Sequence, residues 1–388
     1  VCSSDLYGIL RAGAVVVPLN VLLKPREIAY HLADSDAVSL IVFEGTPELP
    51  MAAMARTACD ETPSCRDLIV IPVDPAAPSP VDRAITLGQL MHGQAPVTNT
   101  YPSRPDDTAV MLYTSGTTGQ PKGAELTHLN MTMNASISRD IMLPALGVGV
   151  DHQNVSLVSL PLFHSTGQTA QMNAGIAGGY RLVLLPRFDA ATVLRLFQSE
   201  RVNCWVGVPT MYWALLQLAR QQQLDASAVA SLRLCVSGGA PMPVQLMRDF
   251  EAAFGVRILE GYGLSETSPV ACFNQVYKPS KPGTVGPPIV RPFSPPTART
   301  SLKVTVEPGS ASSFSTFSTA FGVTRYCFPP VRMTANMGSA FQDNAGRADA
   351  RRPEARVIAG GGWESTCFPR ARVPNAYGPP ECRNSLQF

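Results

Sequence analysis

The chain has 388 residues, of which 45% are hydrophobic, a net charge of +2 and a mean hydropathy of +0.07, so it is long enough for two or three domains and a large core. Nine scattered cysteines without a C-x-x-C pair argue against a disulfide framework or a zinc site and favour a reducing cytoplasm. The body lacks a basic stripe interleaved with aromatic residues, and no apolar run approaches the roughly 18 residues that span a bilayer, so we expect neither a nucleic acid partner nor a transmembrane segment.

The first part of the chain predicts a β-α-β unit. Residues 14–18 predict a strand, residues 25–33 a helix with proline in its first turn, and residues 37–43 a second strand. Residues 44–104 are rich in Pro and Ala with few periodic stretches, and we interpret them as surface excursions. Residues 1–6 match nothing expected before this unit, and the chain starts with Val rather than Met, so we interpret them as a foreign leader on a fragment that lacks its true start.

After these excursions, short apolar runs alternate with helical patterns, which indicates a largely parallel sheet covered by helices. Strands are predicted at 109–113, 155–160, 180–185, 204–208, 232–236 and 256–259. Helices are predicted after the N-cap Thr127, from the N-cap Asp189 to Glu200, from Pro209 to about Gln221, and from Pro243 to a stop at Gly255. The glycine-rich motifs described below follow several of these strands, where open α/β sheets bind ligands.

The tail, residues 290–388, differs in composition from the body. The 98 residues after position 290 contain two Leu, one Ile and, with Val and Phe, 17 such residues. That share is below the ~20% under which a chain struggles to bury a core. The same stretch carries 12 basic against 6 acidic residues. We therefore predict a disordered tail, either the product of a shifted reading frame or chimeric gene, or a real flexible basic segment.

The hydroxyl-rich loop, residues 114–122 (Thr-Ser-Gly-Thr-Thr-Gly-Gln-Pro-Lys), has the components of a phosphate site. Glycines let backbone N–H groups approach an anion, four hydroxyls crowd the loop, and a lysine adds positive charge. The candidate ligand-binding residues are Thr114, Ser115, Gly116, Thr117, Thr118, Gly119 and Lys122. The spacing is not that of a Walker loop, because Lys122 is followed by glycine. On composition alone, such a loop could equally be a linker.

The tyrosine motif, residues 260–269 (Glu-Gly-Tyr-Gly-Leu-Ser-Glu-Thr-Ser-Pro), offers an aromatic face and oxygen ligands. Tyr262 could stack on a purine between glycines that allow close approach, and Glu266 and Thr267 carry the hard oxygens that Mg²⁺ prefers. Taken alone, the Glu-Thr pair would more often be a plain helix N-terminus. The candidates are Glu260, Gly261, Tyr262, Gly263, Glu266 and Thr267.

Two shorter segments complete the set of candidates. Gly238, Gly239 and Ala240 form a diglycine turn after a predicted strand, which could also be an ordinary strand-to-helix turn. His164 lies in the segment 160–167, Leu-Pro-Leu-Phe-His-Ser-Thr-Gly, where a lone histidine beside phenylalanine is often a satisfied core residue.

Taken in chain order, the four segments resemble the motifs of the adenylate-forming superfamily. This superfamily contains acyl-CoA ligases, luciferases and the adenylation domains of peptide synthetases. The resemblance covers residues 7–289 and implies the large N-terminal domain of that fold, an α/β domain of stacked αβαβα subdomains that is truncated and incomplete at its start. The tail shows no such resemblance.

The resemblance also implies a reaction. A substrate carboxylate attacks the α-phosphorus of ATP to give an acyl-adenylate and pyrophosphate, and the thiol of coenzyme A then displaces AMP. It assigns the pyrophosphate end of ATP to the hydroxyl-rich loop, adenine to the space between the diglycine turn and Tyr262, and the α-phosphate to Thr267. It assigns Mg²⁺ to Thr114 and Glu266, a place beside the acyl pocket to His164, and catalytic roles to Lys122, His164, Glu266 and Thr267.

The sequence departs from the family pattern in ways that bear on activity and substrate. No Thr-Gly-Asp follows residue 262, and Lys303, the only lysine after Lys281, lacks family-like surroundings, so we predict little or no ligase activity for this chain. Residues 161–167 hold no acidic residue, which favours an apolar, fatty acid substrate and CoA over an amino acid. The alternatives are a non-catalytic nucleotide-binding remnant and an adenylation domain for an amino or aryl acid.

Overall fold

The computed structural model describes residues 3–95, 99–115, 119–146, 154–289 and 356–360. Within these ranges the chain forms two β-sheets, one of seven and one of six strands, each packed against helices. This arrangement confirms the predicted α/β class. The tail beyond residue 289 lies outside the described residues apart from 356–360, so the prediction of disorder there stays a prediction.

The elements follow in chain order. The α-helices are α1 (Ser3–Arg11), α2 (Pro25–Asp34), α3 (Met51–Asp60), α4 (Leu87–Met91), α5 (His128–Leu146), α6 (Ala174–Ala177), α7 (Ala190–Ser199), α8 (Pro209–Gln222) and α9 (Val244–Phe254). The strands are β1 (Val15–Pro18), β2 (Ser39–Phe43), β3 (Asp67–Ile71), β4 (Ile85–Thr86), β5 (Thr108–Thr114), β6 (Lys122–Thr127), β7 (Val155–Val158), β8 (Arg181–Leu184), β9 (Cys204–Gly207), β10 (Leu234–Ser237), β11 (Ile258–Gly263), β12 (Val270–Phe273) and β13 (Arg356–Gly360). A π-helix spans Thr166–Asn173, and 3₁₀ turns span Ala226–Val229 and Ser265–Thr267.

The seven-stranded sheet has the order β4-β3-β2-β13-β1-β5-β6. Its strands pair in parallel except for β5 and β6, which form an antiparallel hairpin around the hydroxyl-rich loop. Strand β13, from the tail, pairs in parallel with β1 on one side and β2 on the other. The sequence pattern does not predict this strand, because both of its partners lie near the opposite end of the chain.

The interpretation of residues 44–104 as surface excursions is wrong. This range contains α3, β3, β4 and α4, and both strands belong to the sheet. Ala52, Ala55 and Ala58 are buried at the three-residue spacing of one helix face, so α3 packs its small side chains against the sheet. An alanine-rich amphipathic helix was mistaken for irregular chain because alanine contributes little contrast to the hydrophobic pattern.

The six-stranded sheet, β12-β11-β10-β9-β7-β8, is parallel except for its edge strand β12. Its helices begin and end where local signals predict. The Asp189 side chain accepts a hydrogen bond from Thr192 N at 2.7 Å, Pro209 occupies the first turn of α8, and Gly255 ends α9 with a φ of 67°. Thr127 likewise caps α5, because its Oγ1 accepts from Asn130 N at 3.1 Å. These short-range signals explain why the predictions for this half are confirmed.

A chain of aromatic contacts fills the core beneath the six-stranded sheet. Successive ring centroids in this chain of contacts are 5.6, 4.6, 5.1 and 4.6 Å apart. The rings, in order of contact, are those of Phe197, Trp205, Tyr212, Phe250 and Phe254. The buried polar tips have partners, since the indole N–H donates to Ser159 Oγ at 2.9 Å and the Tyr212 hydroxyl donates to Val236 O at 2.7 Å. Rigid packing therefore supports β9 and β10 up to the residues that precede the diglycine turn.

Within the described ranges, none of the helices combines the length and the apolar character needed to cross a membrane.

Candidate active site

The hydroxyl-rich loop connects β5 to β6 at the edge of the seven-stranded sheet. Thr114 and Lys122 pair across the hairpin, so the two ends of the loop are held side by side. Ser115 and Gly119 are exposed, and Gly119 has a φ of 94°, which L-residues with a side chain rarely adopt. The predicted site residues Gly116, Thr117 and Thr118 lie outside the described residues.

The tyrosine motif begins inside strand β11 and continues into the 3₁₀ turn Ser265–Thr267. Tyr262 has 38% of its surface exposed, so part of its side chain is accessible to a ligand. Gly261 lies beneath the Phe273 ring of β12, and a Cβ there would come within 2.8 Å of a ring carbon. A side chain at position 261 would therefore push apart the strand pair that carries Tyr262.

The two motifs meet although they are far apart in sequence. Thr114 Oγ1 donates to Glu266 Oε1 at 3.4 Å, which joins the end of β5 to the 3₁₀ turn. These are the two residues that the sequence analysis assigned to Mg²⁺, and their oxygens are the hard donors that this ion prefers. Among the described residues no cluster of three or more His, Cys, Asp or Glu side chains could hold a metal by itself. A magnesium ion at Thr114 and Glu266 would take its remaining ligands from other oxygens, such as those of water or of a nucleotide.

The diglycine turn lies beside the tyrosine motif because β10 and β11 are parallel neighbours, with Ser237 opposite Glu260. A Cβ built on Gly238 would lie 3.5 Å from the carbonyl oxygen of Gly261. Gly239 has a φ of 77°, in the left-handed region that glycine adopts at no steric cost. The structure therefore brings Gly238, Gly239 and Gly261 together at the carboxyl ends of two strands, where open parallel sheets bind ligands.

Thr267, the candidate for the α-phosphate, uses its hydroxyl within its own turn. The single hydroxyl proton lies within reach of two acceptors, Leu264 O at 3.0 Å and Pro269 O, and Oγ1 accepts from Leu264 N at 3.0 Å. A phosphate oxygen that accepts from this hydroxyl would take its only proton away from both carbonyl groups.

Asn134 is a residue of this region that the sequence analysis missed. Its Nδ2 donates to Thr267 O at 3.1 Å and to Val270 O at 2.8 Å, and its Oδ1 accepts from Val270 N at 3.2 Å. The buried amide thereby fixes the end of the tyrosine motif to α5. A single asparagine within a helix carries no sequence signal of such a contact.

Glu260 is buried, although it belongs to the tyrosine motif. Its Oε1 accepts a hydrogen bond from Met242 N at 3.1 Å, two residues after the diglycine turn. Burial raises the pKa of the carboxyl group, and the hydrogen bond from Met242 opposes that effect. Glu260 therefore connects β11 to the segment after the diglycine turn and does not present its carboxylate to an open surface.

His164 lies in the turn before the π-helix. Its Nδ1 accepts from Thr166 N at 3.2 Å, so a proton on the neutral ring is carried by Nε2. The residue is exposed, and the protein atoms around the imidazole lower its pKa by desolvation, which favours the neutral ring. No hydrogen bond in the described part of the chain joins His164 to Thr114, Tyr262 or Glu266, so its place beside an acyl pocket stays a prediction.

Two open cavities, of about 400 and 550 Å³, lie elsewhere on the described surface. The first is beside Arg56 and Arg83, and the second is beside Arg257 and Tyr277. Their linings contain no predicted site residue, so neither cavity bears on the candidate active site.

Comparison with known proteins identifies the family. The family model for AMP-binding enzymes matches residues 6–302, a wider range than the predicted 7–289. The chain belongs to the AMP-binding enzyme family. The predicted resemblance to adenylate-forming enzymes is thereby confirmed.

Relatives and solved structures agree with this assignment. The long-chain-fatty-acid–CoA ligase of Bacillus subtilis (strain 168) is 32% identical over 297 residues, which cover 73% of this chain and 52% of the relative. ATP-bound MatB from Rhodopseudomonas palustris is similar with a TM-score of 0.60 at 29% identity, over 73% of this chain and 51% of the other. The anthranilate CoA ligase AuaEII in complex with anthranoyl-AMP is similar with a TM-score of 0.62 at 26% identity, over 74% and 51%. The chain spans about half the length of the curated relatives it matches.

Proposed function

We propose that the chain is the nucleotide-binding part of an ATP-dependent carboxylic acid–CoA ligase that works through an acyl-adenylate. The observation that carries this proposal is the contact between Thr114 Oγ1 and Glu266 Oε1. It joins the hydroxyl-rich loop to the tyrosine motif, whose Gly261 lies beside the diglycine turn. One nucleotide could therefore contact all three segments, with its phosphates at the loop and its purine near Tyr262.

In the proposed reaction, a carboxylate oxygen forms a bond to the α-phosphorus of ATP while the bond to pyrophosphate breaks. The thiolate of CoA then attacks the acyl carbon, and AMP leaves. Such transfers depend mainly on positioning and charge neutralisation. Lys122 and the loop hydroxyls would hold the departing pyrophosphate, and Thr267 would hold the α-phosphate. A Mg²⁺ ion at Thr114 and Glu266 would supply further charge neutralisation.

For the acid, we propose an apolar substrate of the fatty acid type. The segment 161–167 offers no carboxylate to bind a substrate amine, and desolvation lowers the pKa of His164, which favours its neutral form. The Bacillus relative is a ligase for long-chain fatty acids, whereas the AuaEII structure contains anthranoyl-AMP, so related enzymes use different acids. An aryl acid is accordingly the second candidate, because the same absence of charge would suit an aromatic ring.

We further propose that this chain alone binds ATP but has little ligase activity, and that it works in the cytoplasm. No Thr-Gly-Asp follows residue 262, and Lys303 is the only lysine after Lys281 in this chain. The nine cysteines form no C-x-x-C pair and their number is odd, which favours a reducing compartment.

Calorimetric titration with ATP in the presence of Mg²⁺ tests the nucleotide site. We expect binding by the chain, weaker binding in EDTA, and a loss of about 5- to 150-fold for Tyr262→Ala, since aromatic stacking on a base contributes ~1–3 kcal/mol. The matched control is Tyr277→Ala, another exposed tyrosine, which should bind ATP as the unmodified chain does. No ATP binding, or equal losses for both variants, would contradict the proposal.

Pyrophosphate exchange into ATP with fatty and aryl acids then separates the candidate functions. ATP binding without exchange would favour the non-catalytic alternative, and rapid exchange would overturn the proposed lack of activity. The acid that supports the fastest exchange would identify the substrate class.

A further inference from the structure

Helix α2 contacts the residue that precedes the hydroxyl-rich loop. The Tyr113 hydroxyl donates to Asp34 Oδ2 at 2.7 Å, and its ring lies against the His31 imidazole with centroids 4.3 Å apart. Burial, with the nearby Asp34 carboxylate, raises the pKa of Tyr113, so the hydroxyl stays protonated and remains a donor. Because Tyr113 directly precedes Thr114, this contact fixes the point at which the chain enters the loop.

The same helix contacts the other end of the loop. The Tyr30 hydroxyl donates to the carbonyl oxygen of Pro121 at 2.8 Å, and Pro121 directly precedes Lys122. Tyr30 and Asp34 are four residues apart on α2, so they project from one face of the helix. The face that holds the start of the loop therefore also holds its end.

His31 and Gly123 complete the packing around these contacts. The buried His31 donates from Nδ1 to Glu27 O at 2.6 Å, and its ring makes edge contacts with both Tyr30 and Tyr113. On the opposite strand, a Cβ at Gly123 would lie 3.3 Å from Tyr113 Cζ, so the ring passes closely over a position without a side chain. The Tyr113 ring is thus held between α2 and β6.

We propose that α2 positions the hydroxyl-rich loop, with the Tyr30 hydroxyl and the Tyr113–Asp34 pair as its two anchors. Both described ends of the loop are then held in place before a ligand binds, which lowers the conformational entropy that binding would cost. Tyr30 and Asp34 are positioning residues, since they act through the loop and not on the ligand. The consequence for ATP rests on the proposed function, whereas the anchoring itself does not.

Hydrogen–deuterium exchange without nucleotide tests the anchoring. For Tyr30→Phe and for Asp34→Ala we expect amides of the loop to exchange about 2- to 10-fold faster, the range that corresponds to the loss of one hydrogen bond. Tyr7→Phe is the matched control, because it removes a hydroxyl that donates to Asn173 Oδ1 at 2.6 Å, a contact that involves no loop residue. Unchanged loop exchange in both variants, or an equal increase in Tyr7→Phe, would overturn the inference.

Ligand titrations extend the test to nucleotide binding. Tyr30→Phe should weaken ATP binding by about 2- to 10-fold and leave adenosine binding unchanged, because only ATP reaches the loop with its phosphates. A general loss of structure would weaken both ligands. If loop exchange rises in the variants but the unmodified chain binds no ATP, the anchoring stands and the proposed function fails. If ATP binds but loop exchange is unchanged, the anchoring fails and the proposed function stands.

Discussion

The two sheets contribute to the candidate site in different ways. The six-stranded sheet offers Gly238, Gly239 and Gly261 at the carboxyl ends of the adjacent parallel strands β10 and β11. The seven-stranded sheet contributes the hydroxyl-rich loop from an antiparallel hairpin at its edge, held by side chains of α2. One half of the site thus follows from sheet topology and a packed core, whereas the other depends on a few polar contacts between distant residues.

The largest expected effect tests the core beneath the six-stranded sheet. Trp205 is fully buried and packs between Phe197 and Tyr212, edge-on to the first ring and tilted to the second. Trp205→Ala should lower the free energy of unfolding by ~3–5 kcal/mol, because it removes a large buried side chain and leaves a cavity. It also leaves the Ser159 hydroxyl without its indole donor. Chemical denaturation measures the change.

The matched control for this prediction is Trp213→Ala. Trp213 lies on α8 with 57% of its surface exposed, so its replacement should change the free energy of unfolding by no more than about 0.5 kcal/mol. Similar losses of unfolding free energy for the two variants would show that the aromatic contacts of Trp205 do not stabilise the six-stranded half as the packing indicates.

A smaller effect separates two neighbouring glycines of the diglycine turn. Gly239 has a φ of 77°, so Gly239→Ala should lower the free energy of unfolding by ~1–2 kcal/mol through left-handed strain. Gly238 lies outside the left-handed region, and a methyl group there would make ordinary contact with Gly261 O at 3.5 Å. Gly238→Ala should therefore keep its stability within about 0.5 kcal/mol. Thermal and denaturant unfolding of both variants checks this order.

The same two variants also test the proposed ligand. A methyl group at position 238 would occupy space beside Gly261, so Gly238→Ala should bind ATP less tightly although its fold is intact. A loss of stability in Gly238→Ala together with no loss in Gly239→Ala would contradict the backbone geometry. If Gly238→Ala binds ATP as tightly as the unmodified chain does, the purine does not bind beside Gly238.

The same contrast between the sheets explains what the sequence could predict. The helices of the six-stranded half start and stop at Asp189, Pro209 and Gly255, each within a residue or two of its expected position, because caps act over a few residues. The diglycine turn and the glycines of the tyrosine motif then lie together, because the parallel strands that precede them end at the same edge of the sheet. Strand order, by contrast, depends on partners far apart in the chain, which is why β13 was not foreseen.

In the seven-stranded half, the prediction for residues 44–104 is wrong because it rests on amino-acid composition and not on hydrophobic periodicity. Residues 44–104 look irregular because alanine and proline dominate, yet Ala52, Ala55 and Ala58 form a buried helix face. The motif at 114–122 could be found from its own residues, but its anchor Tyr30 could not, because a tyrosine within a helix indicates nothing about a carbonyl group 91 positions later. Motifs are local patterns, whereas the contacts that position them are not.

The smallest expected effect concerns Glu260, a buried carboxylate of the six-stranded half. Its buried carboxylate accepts from Met242 N, and burial raises its pKa above that of the unfolded chain, which is about 4.3. The folded state then binds the proton more readily, so this group contributes stability below the unfolded pKa that is lost as pH rises through the folded pKa. Because Gln does not titrate and keeps an acceptor for Met242 N, Glu260→Gln should gain stability relative to the unmodified chain between pH 4 and pH 7. Urea denaturation of both proteins at the two pH values measures this gain. The prediction would be wrong if the stability difference were constant, or if it favoured the unmodified chain more strongly at pH 7. Either result would show that hydrogen bonds to the carboxylate offset the free-energy cost of its burial. The six-stranded half would then hold its part of the site without an electrostatic cost.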